Sequence, residues 1–222
     1  MDKEVVLHKG YFWPKKDGSG SGVTETYAPP DSCCFHVLHT YPDVPEKIAE
    51  YIEEKKVVVQ AGGNCGVYVK KYAELFETVY TFEPSPLLFY CLNLNVTNTN
   101  VFKFQACIGN THQPVCMTSY LADIGGTHVG GEGNTPQLLI DDLNLSRCDL
   151  IHLDIEGFEL FALHGAINTI NKYKPTIVIE YAEIWLNRYG YSLSKIDEYL
   201  NNLGYRHVGV IYNGDRIYKY NT

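Results

Sequence analysis

The sequence predicts an α/β protein built on a mostly parallel, doubly wound sheet that ends in an antiparallel hairpin. Three observations predict it. From Pro45 onward, short apolar runs (VVVQ, TVYTFE, DLIHLD, PTIVIEYA) alternate with segments whose apolar residues recur at helical spacing. Such alternation is the pattern of a parallel sheet covered by helices on both faces. The last segment, RHVGVIYNGDRIYKY, is two strands about an Asn-Gly pair, the strongest short hairpin signal. A chain of 222 residues with 45% apolar content is long enough to bury one sizeable core.

The elements follow in order. Residues 1–42 read as an N-terminal extension to a main domain of residues 43–222. Its DGSGSG and TYAPPDS stretches have the glycine, serine and proline density of loops, and YFWP suits either a lid or aromatic packing onto the domain. PEKIAEYIEEKK predicts a helix carrying Ile48, Ala49 and Ile52, and VVVQ a buried strand. Then come a helix over GVYVKKYAELF, a strand over TVYTFE, a helix over SPLLFYCLNLNV and a strand over VFKFQACI. Residues 109–135 read as loop and short β-structure. The alternation resumes with DLIHLD as strand, LFALHGAINTINKY as one helix, PTIVIEYA as strand and LSKIDEYLNNLG as a helix ending on a capping glycine.

Composition excludes several classes. A formal net charge of −8 opposes a protein that grips nucleic acid or an anionic membrane through a basic face. Seven cysteines without repeated CxxC spacing point away from a secreted disulfide framework and toward a reducing, cytoplasmic setting. No apolar run approaches the roughly 18 residues of a membrane span. CCFHVLH offers Cys33, Cys34, His36 and His39, but the spacing matches no two-knuckle zinc site, so no metal is expected.

Two motifs carry chemistry. VVVQAGGNCG delivers a strand into a glycine turn and then a helix, which aims backbone N–H groups and a positive helix end at the crevice beyond the strand ends. The next strand ends in Glu83, a carboxylate placed to accept both hydroxyls of a ribose. The turn is Gly-Gly-x-x-Gly, with Asn64 where a pyrophosphate-binding turn would want glycine, which weakens a dinucleotide reading. The second motif is IHLDIEGFELFALHGA. Asp154 and Glu156 close a strand at period-two spacing, Gly157 breaks it, and Glu159 follows at the head of a helix. IVIEYAE brings a further acid, Glu180, to the same edge. The bland reading of Asp154 or Glu156 alone is a cap on the following helix, but Asp154, Glu156 and Glu159 together are expected to converge at the sheet's ligand edge.

Taken together, VVVQAGGNCG, VYTFEP, DLIHLDIEGFEL with HGA, and KPTIVIE resemble the FkbM-type branch of the class I S-adenosylmethionine-dependent methyltransferases, over roughly residues 45–185. The resemblance implies the Rossmann-like class I methyltransferase sheet and S-adenosylmethionine as cofactor. It implies methyl transfer to an oxygen of a sugar or another small hydroxyl-bearing acceptor. Position by position, Gly62, Asn64 and Gly66 would approach the methionine portion, Glu83 the ribose, and Ala106 and Cys107 the adenine. Gln60 stands where the family has an acid, so the ammonium contact there is weakened or rearranged.

Methyl transfer to a hydroxyl needs alignment and a proton acceptor. Asp154, Glu156 and Glu180 are candidates by position, with Asp154 also at the cofactor's edge. His128, in GGTHVGG, falls where the family places an acceptor-facing segment, although a loop histidine ordinarily faces solvent. His152, mid-strand, reads as an interior histidine. The acidic rim favours a small-molecule or glycan acceptor over nucleic acid. An NAD-dependent oxidoreductase on a similar sheet, and a non-catalytic cofactor-binding protein, are the alternative readings.

Overall fold

The computed structural model describes residues 5–15, 37–38, 40–120, 123–212 and 214–221. The chain opens with a hairpin of β1 (Val5–His8) and β2 (Tyr11–Pro14), and its main sheet begins with β3 (Val57–Ala61), β4 (Thr78–Phe82) and β5 (Val101–Phe104). Four strands outside that sheet follow: β6 (Cys107–Ile108) paired with β9 (Gln137–Leu138), and β7 (Val115–Tyr120) paired with β8 (Asp123–Glu132). The chain then re-enters the main sheet through β10 (Leu150–Leu153), β11 (Thr176–Ile179), β12 (Tyr205–Ile211) and β13 (Asp215–Tyr220).

The seven strands lie in the order β12-β13-β11-β10-β3-β4-β5, parallel except that β13 runs antiparallel to both neighbours. This is the predicted sheet with its terminal hairpin. The chain lays down β3, β4 and β5 outward, then jumps back to place β10 on the other side of β3. The crevice beyond the C-terminal ends of β3 and β10 is therefore the topological switch point, where open α/β sheets bind ligands.

Helices α1 (Val44–Ala49), α2 (Val67–Leu75) and α3 (Pro86–Asn95) pack on one face of the sheet, and α4 (Glu159–His164), α5 (Ile167–Tyr173), α6 (Glu183–Arg188) and α7 (Leu193–Asn202) on the other. Strand alternation builds two cores. Val58, Leu150, Val178 and Ile217 join Ile48, Val69, Tyr72 and Leu92 on one face. Their chain neighbours Val59, Ile151, Ile177, Ile179 and Tyr218 join Ala162, Leu163, Ile170, Ile196 and Leu200 on the other. All four residues of β10 and of β11 are buried, which is why these runs are apolar apart from His152 and Thr176.

Four local expectations change. The helix predicted from Pro45 to Lys56 spans only Val44–Ala49, because Asp149 Oδ2 takes the N–H groups of Lys56 (3.1 Å) and Val57 (2.8 Å) and draws the chain into β3. The single helix predicted over 160–173 breaks into α4 and α5. Asp141 reaches across to accept from the N–H groups of Asn168 (3.0 Å) and Thr169 (2.8 Å) and from the Thr169 hydroxyl, starting a new helix there. The strand predicted over 101–108 divides: Phe104 ends its main-sheet part, and Cys107 and Ile108 pair with β9 instead. Helix α6 occupies a stretch given no element.

In the N-terminal extension, YFWP forms β2 and packs onto the domain. Phe12 N–H donates to Asn95 Oδ1 (2.6 Å), Asn95 Nδ2 donates to Phe12 O (2.8 Å), and Trp13 is fully buried beside Cys65, Val67 and Leu88. Cys33, Cys34, His36, His39, the glycine-serine stretch and Asn213 of the terminal turn lie outside the described residues. No helix among the described residues is long and apolar enough to cross a membrane.

Candidate active site

The glycine turn is shaped by what presses against it. Gly62 (φ 89°) could carry no side chain, since a Cβ there would lie 1.9 Å from the Asp154 carbonyl oxygen. The N–H groups of Gly62 (3.1 Å) and Gly63 (2.9 Å) both donate to the Phe82 carbonyl, and Asp154 N–H donates to Ala61 O (3.1 Å). The ends of β3, β4 and β10 are thereby stitched together. Gln60 supports the turn from behind. It is 1% exposed; Nε2 donates to the carbonyls of Gly62 (2.8 Å) and Ala61 (3.2 Å), and Oε1 accepts from the Thr81 hydroxyl (2.6 Å).

One cavity opens at this junction, lined among others by Gly62, Gly63, Asn64, Glu83, Ala106, Cys107, Asp154 and Glu156. Glu83 is the polar centre of one end. Its Oε2 accepts Asn64 N–H (2.7 Å) and its Oε1 accepts Ser85 N–H (2.8 Å), so the carboxylate is locked in place with lone pairs left for a ligand. Burial pushes Glu83 up to about 7, against these two hydrogen bonds, with the charge of Asp154 adding to the rise. Apolar Phe82, Leu88, Ala106 and Ile108 flank it. A rigid carboxylate among apolar walls suits a ligand that presents a diol beside a flat ring.

The other end is acidic. Asp154, Glu156 and Glu180 each place a carboxylate oxygen within 4.8 Å of the others. Burial pushes both Asp154 and Glu180 up. Glu180 rises well above the usual carboxylate range, because the charges of Asp154, Glu156 and Glu159 add to its desolvation, while its hydrogen bond to Asp154 holds the latter back. Each of the two carboxyls thus holds its proton more tightly than a free one, and three oxygens at this spacing also form a set that can hold a divalent cation. Asp215 adjoins the cluster, its carboxyl pushed up to about 7 by burial and by Asp154.

The β7–β8 hairpin covers the cavity with Met117, Thr127, His128 and Val129. His128 lies on a strand and is buried, which corrects the expectation of an exposed loop histidine; pairing with Thr118 turns it inward. Its Nδ1 faces the Gly126 carbonyl at 3.0 Å, so Nδ1 carries the proton and Nε2 is the basic nitrogen. His152 is an interior histidine as expected, fully buried with Nδ1 2.9 Å from the Tyr72 hydroxyl.

Of the predicted site residues, Gly62, Asn64, Glu83, Ala106, Cys107, His128, Asp154 and Glu156 line this one cavity. Glu180 stands behind Asp154 and Glu156. Gly66 begins α2 with φ 90° and packs against Leu92 and Val96, outside the lining, as does Gln60. Sequence reasoning missed Tyr68, Met117, Phe158 and Val37 of the lining. Tyr68 follows the glycine turn by helical spacing and was findable; the others arrive from segments with no periodic signal.

Residues 134–207 match the family model of the methyltransferase FkbM domain. Among solved structures, the chain is similar to methyltransferase FkbM from Methylobacillus flagellatus KT, at 17% identity and a TM-score of 0.50, covering 84% of this chain and 52% of that one. It thus spans about half the length of that protein. An S-adenosylmethionine-dependent methyltransferase from Aquifex aeolicus aligns at 13% identity over 82% of this chain and 91% of that one, with a TM-score of 0.48. Magnesium protoporphyrin IX methyltransferase from Synechocystis PCC 6803 aligns at 9% over 90% and 85%, with a TM-score of 0.49. Among curated proteins none matches the chain. The family match covers a third of the chain, in its second half, and the likeness to the Methylobacillus protein is one of fold, that of a class I methyltransferase.

Proposed function

We propose that this protein transfers a methyl group from S-adenosylmethionine to a hydroxyl of a sugar-like or other small acceptor. The observation that carries the reading is a single cavity with two chemically different ends, joined at Asp154, whose backbone presses on Gly62 and whose carboxylate belongs to the acidic cluster. Glu83 would hold the ribose hydroxyls, the Gly62–Asn64 backbone the methionine portion, and Ala106 and Cys107 the adenine. When bound, S-adenosylmethionine supplies a methyl group already activated on a sulfonium.

The remaining work falls to the acidic end. A carboxylate whose proton affinity is raised is a better general base for a hydroxyl than an ordinary one, and burial raises that of both Asp154 and Glu180. Glu156 and Asp154 accept hydrogen bonds from acceptor hydroxyls, and His128 Nε2 is a second proton acceptor on the covering hairpin. The hairpin and Phe158 line the cavity on this side and would shield the reacting centre from bulk water. Negative charge at this end disfavours phosphate-rich polymers and suits neutral polyols.

The test is incubation with methyl-labelled S-adenosylmethionine and separate pools of glycans, small hydroxyl metabolites and nucleic acids. Label entering a hydroxyl compound is expected. Label confined to nucleic acid bases refutes the acceptor class. Label going nowhere, with S-adenosylhomocysteine still bound, refutes the catalytic reading.

A further inference from the structure

The loop that carries Glu156 is held from three sides. Glu156 sits in the left-handed region (φ 59°), which a side chain rarely adopts, and Gly157 follows at φ 97°. Left alone, residue 156 would relax to negative φ and swing its carboxylate away. Two N–H groups of the loop are anchored by one atom: Glu159 Oε1 accepts from Ile155 (3.1 Å) and from Gly157 (3.2 Å). The two carbonyls on the other side are taken by the segment after β11. Arg188 Nη1 donates to Glu156 O (3.1 Å), and the Tyr191 hydroxyl donates to Gly157 O. Glu159 is fully buried and is absent from the lining of the cavity, so it touches no ligand there.

We propose that Glu159 is a positioning residue: by accepting both N–H groups that flank Glu156, it fixes the left-handed turn and sets the Glu156 carboxylate beside Asp154 and Glu180. The role rests on the methyl-transfer reading only for its consequence in rate; the anchoring itself does not. It follows that one acceptor oxygen at position 159 is sufficient. Burial pushes Glu159 up to about 7, against its own backbone hydrogen bonds, so near neutrality a large fraction is already protonated. Glutamine, which keeps an acceptor oxygen and a neutral group, is therefore a close substitute, and alanine is not.

The test compares Glu159→Gln and Glu159→Ala in the full chain. Amide hydrogen exchange at Ile155 and Gly157, and the carbon-13 shift of the Glu156 carboxyl, are read first because neither needs turnover. Expected is protection and shift retained in Glu159→Gln, with both lost in Glu159→Ala. Protected amides and an unmoved Glu156 carboxyl in Glu159→Ala overturn the proposal. Rates are then measured with methyl-labelled S-adenosylmethionine and the sugar pool. Glu159→Ala should lower the rate at least about tenfold, with affinity for S-adenosylhomocysteine within about threefold of the wild type and Glu159→Gln restoring the rate. In a Glu156→Gln background the same alanine change should cost less than about threefold, since residues acting as a unit are not additive. Equal losses in both backgrounds, or rate and cofactor affinity falling together with melting temperature, would mean a merely structural role. Absence of transfer by the wild type sinks the functional reading instead, and the amide and carboxyl readouts still decide the anchor.

Discussion

Glu83→Gln probes the proposed cofactor end with little change of shape. Each Glu83 oxygen already accepts one backbone N–H, from Asn64 at 2.7 Å and from Ser85 at 2.8 Å. Glutamine supplies one oxygen and one NH2 group, so one of those N–H groups is left facing a donor, and one ligand hydroxyl loses its acceptor. The first loss is present with and without ligand and appears in stability. An unsatisfied buried donor costs about 1–3 kcal/mol, and in a chain of this size each kcal/mol is about 2–4 °C in melting temperature. The second loss appears in binding. A hydrogen bond to a charged group is worth about 1.5–3 kcal/mol, and 1.4 kcal/mol is tenfold. Affinity for S-adenosylhomocysteine should therefore fall about 10- to 100-fold by calorimetric titration. A folded Glu83→Gln protein with affinity within threefold of the wild type would refute the assignment of Glu83 to the ribose.

Four further outcomes are expected. Glu83, Glu159 and Asp215 are each pushed up to about 7, so the folded state holds protons that unfolded carboxylates release near pH 4. Their contribution to stability therefore falls as pH rises through 7, and the ligand-free protein should melt higher at pH 6.5 than at pH 8. Below 6.5 His152, held down to about 4 by burial, opposes the trend. Affinity for S-adenosylhomocysteine should run the other way and tighten from pH 6 to 8, because ribose hydroxyls favour ionised Glu83; titration at both pH values checks the pair of slopes. Gln60→Asp should lower the melting temperature, since Nε2 donates to the Gly62 and Ala61 carbonyls and an aspartate can donate to neither; the loss is about 1–3 kcal/mol by denaturant titration. Gly157→Ala should be worse, because its Cβ would stand 2.4 Å from the Trp185 carbonyl oxygen at a left-handed φ, and either a wild-type melting temperature or unchanged amide exchange at position 157 would show the loop to be soft.

The chain's periodicity alone determined the architecture. Alternating strand and helix spacing, the largely apolar, fully buried runs of β10 and β11, and the terminal two-strand segment lead to a parallel sheet closed by an antiparallel hairpin, because burial on one face or two leaves its mark residue by residue. Glu83, Asp154 and the glycine turn were legible for a related reason: strand ends in such a sheet converge on one crevice whatever the loops do. What a polar side chain bonds to was not legible, because its partner comes from far along the chain. Gln60 faces Thr81 and its own turn rather than the cavity, and that depends on β4 lying beside β3. The break between α4 and α5 depends on Asp141, 28 residues before Thr169. His128 is inward only because β8 pairs with β7, and in a glycine-rich run no pattern of hydrophobicity distinguishes a covering strand from an open loop. Glu159 looked like one more acid of a motif; tertiary contacts made it the anchor of its neighbour, since only the folded loop turns two N–H groups toward one buried oxygen.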